Sequence, residues 1–272
     1  MPELPEIETI KRGLQPIKNA QILEIFRSKY NLRFSSSEDL ENLEENQIID
    51  IARRARYLLI KLSNQKTLVI HLGMSGRINL SKDFNYLKHD HFALKLSINQ
   101  WLIFNDARRF GFVDLVKDQD LNSHKLLKDL ALEPLSKEFN VDYLFSKLRN
   151  KITNIKSTMM DNKIVVGVGN IYINESLFDA GISPILPANS LNKKAIEKLI
   201  LSIKKIIHNA IENGGSSISD YQNANGELGF FQNFHKVYAR ENQDCVVCNT
   251  KIIRIIQNQR STFYCPNCQK NS

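Results

Sequence analysis

All four cysteines of this 272-residue chain fall in its last 28 residues, at Cys245, Cys248, Cys265 and Cys268. Two Cys-x2-Cys pairs separated by sixteen residues have the spacing of a four-thiolate zinc site, each pair forming one knuckle. Redox-active pairs are the alternative, but no βαβ pattern surrounds them. Four thiolates leave no open coordination position, so one structural zinc is expected. The tail holds too little apolar material to fold without the metal. Between the pairs, 251–257 and 261–264 read as a hairpin turning near Asn258, Gln259 and Arg260, which holds Arg260 out at the tip. A chain of this size with no other cysteine is not a disulfide scaffold.

The formal charge is +8 and the isoelectric point about 9.2, which favours a polyanionic partner, nucleic acid before a membrane surface. The length suits two or three domains. No opening segment has the apolar core of a signal peptide, and no apolar run is long enough to span a bilayer. A cytoplasmic, nucleoid-associated protein is expected, with no membrane partner.

The chain opens Met1-Pro2-Glu3-Leu4-Pro5-Glu6. If Met1 is trimmed, Pro2 carries a free secondary amine, and an α-amino group has a pKa near ~8 against ~10.4 for lysine. Such an amine is partly neutral at pH 7 and can attack an electrophilic carbon. Glu3 is a candidate general acid if burial raises its pKa. The plain alternative is that Pro and Glu are ordinary first-turn helix residues. Residues 3–14 read as a short helix with Ile7, Ile10 and Leu14 on one face. Short apolar runs follow at 21–27, 47–52, 57–62, 67–72, 92–98, 101–104 and 111–116, which suggests a β-sandwich over 2–131.

The loops carry unusual residues. Arg53, Arg54, Arg56 and Lys61 form either a solvated basic edge or a phosphate-facing strip. His71-Leu72-Gly73-Met74-Ser75-Gly76 puts a methionine at a glycine-flanked tip, read as an exposed wedge. Asn105-Asp106-Ala107-Arg108-Arg109-Phe110-Gly111 places two arginines and a phenylalanine in a second loop. Apolar side chains pushed between base steps kink a duplex, and arginine suits phosphates and base edges. In Lys88-His89-Asp90-His91, His89 is read as a phosphate contact and His91 as a structural hydrogen bond. After residue 132 the period becomes helical, with helices at 141–149, 154–161, 171–179 and 192–212. Val165-Val166-Gly167-Val168-Gly169-Asn170 reads as a two-glycine turn, with Asn170 at an N-cap, where an anion would be favoured. Residues 214–234 form a long polar link that could close over a ligand.

Taken together these motifs resemble the formamidopyrimidine-DNA glycosylase family over essentially the whole chain. The resemblance rests on Pro-Glu-Leu-Pro-Glu, His-Leu-Gly-Met-Ser-Gly, Arg-Arg-Phe-Gly, Met-Asp-Asn-Lys with Val-Gly-Val-Gly-Asn-Ile-Tyr, Gln-Arg-Ser-Thr-Phe-Tyr-Cys and the four-cysteine tail. It implies an α+β multidomain fold: a catalytic β-sandwich with flanking helices at 2–131, a helix–two-turns–helix DNA-binding domain at 132–222, and a zinc finger at 236–270. It implies a bifunctional DNA glycosylase and abasic-site lyase that removes oxidised purines from duplex DNA and cleaves the strand by β,δ-elimination. The protein would act as a monomer with no small-molecule cofactor. Pro2 is implied as the nucleophile at C1′ and Glu3 as the proton donor. Met74, Arg108 and Phe110 would fill the space of the extruded base. His89, Arg108 and Lys151 match DNA-contact positions, Asn170 and Arg260 match phosphate contacts, and Arg260 also matches the residue of the final elimination. Residues 219–226 would fold over the extruded base. Two departures stand out: Arg56 replaces the family lysine, and Ala107 replaces a loop proline. The rivals are an endonuclease VIII-like enzyme for oxidised pyrimidines, whose opening has glycine where this chain has Leu4, and a catalytically impaired damaged-DNA binder.

Overall fold

The computed structural model describes residues 1–30, 32, 40, 42–217, 223, 224 and 226–270. The described chain forms two compact units, Met1–Lys128 with Asn213–Phe230, and Asp129–Glu212 with the residues from Phe231 onward. The 213–230 segment thus belongs with the N-terminal unit, and the helical region and the cysteine tail share the other.

The first unit begins with helix α1 (Leu4–Gly13). Glu3 is its N-cap, Pro5 lies in the first turn, and Lys11 and Arg12 lie in the last, where they oppose the helix dipole. Ten residues make a marginal helix in water. What holds α1 is burial: Ile7, Ile10 and Leu14 are at most 2 % exposed. Each such side chain contributes roughly 1.5–3 kcal/mol.

Among the described residues eight strands follow: β1 (Ile22–Arg27), β2 (Ile48–Arg54), β3 (Tyr57–Leu62), β4 (Lys66–His71), β5 (Arg77–Ser81), β6 (Asp90–Leu96), β7 (Gln100–Asn105) and β8 (Phe112–Lys117). They form two four-stranded antiparallel sheets, ordered β1-β6-β7-β5 and β2-β3-β4-β8. Side chains alternate along a strand. Leu58, Ile60 and Leu62 of β3 therefore meet Ile78, Leu94, Leu102 and Phe104 in one core, as the expected sandwich requires. Strand β5 was not foreseen. Besides the longer connection from β1 to β2, the chain changes sheet through short loops from β4 to β5 and from β7 to β8.

The second unit contains α2 (Val141–Leu148), α3 (Ile155–Met159), α4 (Asn170–Asp179) and α5 (Lys193–Glu212). Asn140 caps α2 by accepting from Tyr143 N, and Asn154 caps α3 by accepting from Ser157 N. The expected cap of α4 is corrected: Gly169 is the N-cap, and Asn170 is the first helical residue, its side chain engaged elsewhere. The amphipathic α5 buries Ile196, Leu199, Ile203, Ile206, Ile207 and Ile211, the face expected from the sequence. Strands β9 (Ile253–Gln257) and β10 (Arg260–Tyr264) pair as the tail hairpin. Its turn residues Asn258 and Gln259 both have positive φ (45° and 62°), as a two-residue type I′ turn requires.

Candidate functional site

The N-terminus is folded into the first unit. Met1 is 46 % exposed, while Pro2 and Glu3 behind it are buried. Glu6, 2 % exposed, holds this corner. Its Oε2 accepts from Glu3 N at 2.8 Å, and its Oε1 accepts from Ser216 N at 2.8 Å. One buried carboxylate therefore fixes both the start of the chain and the root of the 213–230 segment. Arg56 follows Ala55 in the tight turn between β2 and β3, and its Nη1 lies 3.9 Å from Met1 Sδ. Its Nε is buried with no hydrogen-bond partner among the described residues.

The basic stretch resolves in part. Arg53 Nε donates to Glu8 Oε2 at 2.9 Å, and Lys61 lies 3.3 Å from Asp118. Burial alone would raise the Glu8 carboxyl, but hydrogen bonds from Lys11 and Arg53 outweigh it and hold Glu8 below the usual range. Arg53 is thus a structural ion pair.

The two inter-sheet loops dock on each other. Met74 (43 % exposed) and Phe110 (41 %) project from them, and the Arg108 guanidinium lies 4.7 Å over the Phe110 ring. Gly73 has φ +63°, and a Cβ there would sit 2.4 Å from the Phe110 carbonyl carbon. Only glycine allows that approach. Beneath the loops lies Asp106, fully buried, with Ser75 against it.

His89 sits on the turn before β6. Asp90 shapes that turn by accepting from Leu87 N and from the Asn105 amide, both at 2.8 Å. His91 makes structural hydrogen bonds, to Ser28 Oγ through Nδ1 and to the Asp106 carbonyl through Nε2. Burial pushes its pKa down, so the ring is neutral at pH 7, with Nε2 donating and Nδ1 accepting. A cavity of about 220 Å³ opens here, lined by Tyr30, Lys88, His89, His91, Ala107 and Arg109. Its cationic lining suits an anion.

In the second unit Lys151 is exposed after α2. Arg260 is exposed as the first residue of β10. Asn170 Nδ2 donates to the Ser261 carbonyl at 3.0 Å, so it ties α4 to the tail hairpin. Sequence reasoning missed Lys156, whose side chain is buried and donates to Ser261 O at 3.0 Å and Thr262 Oγ1 at 2.8 Å. It also missed Asn174, whose Oδ1 accepts from Phe263 N at 2.8 Å. Glu175, 1 % exposed, accepts from the backbone of Lys236, Val237 and Tyr238. Burial raises its carboxyl pKa against those three donors. Burial also lowers His235 to about 4, which leaves that ring neutral among Phe231 and Tyr238.

The four cysteine sulfurs lie within 4.8 Å of one another. Three pairs are separated by 3.4, 3.4 and 3.8 Å. Zinc–thiolate bonds of ~2.3 Å in a tetrahedron put sulfurs roughly 3.8 Å apart, so the donor set fits such an ion. Val247 N and Cys268 N donate to Cys245 Sγ and Cys265 Sγ, supporting each knuckle. Gln269, 2 % exposed, locks the second knuckle by accepting from Cys265 N and donating to the Ile182 carbonyl.

Residues 218–222 and 225, which hold most of the expected closing loop 219–226, lie outside the described residues. Its roots are held: Gly229 N donates to Ser217 Oγ, and Leu80 N to Ala224 O. Among the described residues no helix is long and apolar enough to cross a membrane.

Comparison with known proteins matches three family models along the chain. The formamidopyrimidine-DNA glycosylase N-terminal domain covers 1–113, the helix–two-turns–helix domain of the same enzymes 130–222, and the zinc finger found in FPG and IleRS 243–271. Formamidopyrimidine-DNA glycosylase from Vesicomyosocius okutanii is 48 % identical, covering 99 % of this chain and 100 % of that one. The Rickettsia bellii enzyme is 44 % identical with the same coverage. Among solved structures, Lactococcus lactis Fpg in complex with abasic-site DNA aligns with TM-score 0.91 at 34 % identity, over 99 % of this chain and 100 % of that one. The MutM (Fpg) protein of Thermus thermophilus aligns with TM-score 0.88 at 34 % identity, over 98 % of each. Sandwich, helical region and finger together define a zinc-finger DNA-repair glycosylase. The chain belongs to the formamidopyrimidine-DNA glycosylase family.

Proposed function

We propose that the protein is a bifunctional glycosylase and abasic-site lyase that excises oxidised purines from duplex DNA, acting as a monomer in the cytoplasm with one structural zinc. The supporting observation is the buried N-terminal corner: Pro2 and Glu3 are fixed through Glu6, with Arg56 alongside. Solved relatives carry Fapy-dG or abasic-site DNA. The functional segments are 2–131, 132–222 and 236–270.

After Met1 is removed, the Pro2 lone pair attacks C1′ and the bond from C1′ to the base breaks. Glu3 supplies the proton that lets the sugar ring open and the base leave. The resulting iminium draws electrons from the C2′–H bond. Loss of that proton expels the 3′ phosphate, and a second elimination, assisted by Arg260, expels the 5′ phosphate to leave a one-nucleotide gap. His89, Arg108, Lys151 and Asn170 hold the backbone. Met74, Arg108 and Phe110 occupy the space of the extruded base, which offsets the unstacking cost of a few kcal/mol. Leu4, where the endonuclease VIII branch has glycine, supports the reading for purine lesions over the one for pyrimidine lesions.

Position 56 sets the balance of the two activities. A guanidinium stays protonated at any working pH, so Arg56 holds an anion well and shuttles protons poorly. Excision is expected to proceed, and strand cleavage to lag behind it. Single-turnover kinetics on an 8-oxoguanine duplex and on a preformed abasic site test this. Arg56→Lys should raise the ratio of cleavage to excision by about a hundredfold, the low end of a general acid–base contribution. An unchanged ratio would remove position 56 from the lyase step. No excision of any oxidised purine by the unmodified protein would leave the binder reading in its place.

A further inference from the structure

We propose that Ser75 and Asp106 are positioning residues that join the loop of Met74 and the loop of Arg108 and Phe110 into one insertion unit, so that the three side chains enter a duplex together. This rests on the glycosylase reading above. The loops come from distant parts of the chain, one leaving β4 for β5 and the other leaving β7 for β8, and both change sheet. Strand pairing brings the loop ends together, His71 opposite Phe112 and Arg77 opposite Asn105, but it does not join the tips of the two loops.

Asp106 does so. It is 0 % exposed, and its carboxylate accepts from both loops. Oδ1 accepts from Ser75 Oγ at 2.6 Å and from Arg108 N at 3.2 Å; Oδ2 accepts from Gly111 N at 2.7 Å. Ser75 Oγ in turn accepts from Arg108 N at 3.1 Å. The Asp106 backbone is pinned as well, its N–H donating to the His89 carbonyl at 2.9 Å and its carbonyl facing His91 Nε2 at 3.0 Å. An ordinary Asx turn explains only the bond to Arg108 N. A buried carboxylate is costly unless its donors are present, and these donors are complete only when both loops are docked. Docking of the Ser75 loop therefore completes the donor set of the Asp106 loop. Gly111 completes the join, because a Cβ there would sit 2.6 Å from the His71 carbonyl oxygen.

Exposed Met74 and Phe110 side chains on independent loops would have to be ordered one by one at the moment of insertion. The clasp orders them beforehand and brings the Arg108–Phe110 stack with them. Its loss should therefore slow the step in which a paired base is extruded, and should matter little where extrusion is already easy.

The test compares unmodified protein, Ser75→Ala, Asp106→Asn and the double variant in single-turnover excision of 8-oxoguanine. One duplex pairs the lesion with cytosine, and a second places it opposite an abasic-site analogue. A 2-aminopurine beside the lesion reports insertion by stopped-flow fluorescence. Each single variant should slow excision from the paired duplex about tenfold, the usual effect of losing a hydrogen bond to a buried charge. The double variant should be no slower than the worse single, because the two residues share one network. The fluorescence rise should slow in parallel, and excision from the unpaired duplex should change less than about threefold. Ser75→Ala leaves Asp106 its other donors and serves if Asp106→Asn does not fold. Equal slowing on both duplexes, as a merely structural role would give, overturns the proposal, as does no slowing on either. If the unmodified protein excises from neither duplex, the glycosylase reading falls first and this one with it.

Discussion

Glu3→Gln is expected to slow base release by about 10²- to 10⁴-fold, the range a positioned general acid contributes. The effect should be confined to the first half of the reaction. Base departure requires a proton when the bond at C1′ breaks, whereas a preformed abasic site has no base to lose. Glu3 is 5 % exposed and its backbone is held by Glu6, so a neutral isostere should keep the corner intact. Single-turnover rates on an 8-oxoguanine duplex and on an abasic duplex separate the two halves. A variant that loses both rates equally would assign Glu3 to holding the N-terminus and not to proton donation.

Cys265→Ser is expected to abolish zinc binding and to weaken binding of a damaged duplex by at least about a hundredfold. Structural zinc contributes ~10–16 kcal/mol in isolated fingers, comparable with the whole stability of a domain. The apolar material around it cannot replace that: Phe178, Val237, Ile252 and Phe263 form a small cluster in which Cys245 and Cys265 are themselves buried members. With the metal lost, the hairpin that carries Arg260 loses its support, and the ties from Lys156 and Asn170 to Ser261 lose their anchor. The N-terminal sandwich should stay folded. Trp101, the only tryptophan, lies on β7 and reports on that sandwich alone. Metal analysis, a mobility-shift titration and tryptophan fluorescence read the three effects separately. Wild-type affinity in a zinc-free variant would show that the finger does not hold the DNA.

Much of the fold was legible because its signals are local. The short apolar runs of β3 and β6, the helical stripe of α5 and the spacing of the cysteines each lie within a short window. Strand β5 escaped because Arg77-Ile78-Asn79-Leu80-Ser81 offers only two alternating apolar residues, directly after a glycine turn. The cap of α4 was misplaced because asparagine outranks glycine as a cap by propensity. The Asn170 side chain instead bonds a carbonyl 91 residues away. The same physics hid the supporting residues of the site. Glu6 meets Ser216 across 210 positions, Lys156 meets Ser261 across 105, and Ser75 meets Asp106 across 31. A buried charge looks like any surface charge until the fold supplies its donors. The glycines at 73 and 111 were the available hint, since each marks a place where two backbones touch.

The proposed nucleophile is the amine of Pro2, exposed by removal of Met1. Sodium borohydride added during reaction with an 8-oxoguanine duplex reduces the iminium and freezes the link. Mass spectrometry of the digested complex should then place the DNA on a single peptide, the one that begins at Pro2. A link on an internal lysine peptide, or an active protein that retains Met1, would contradict the account.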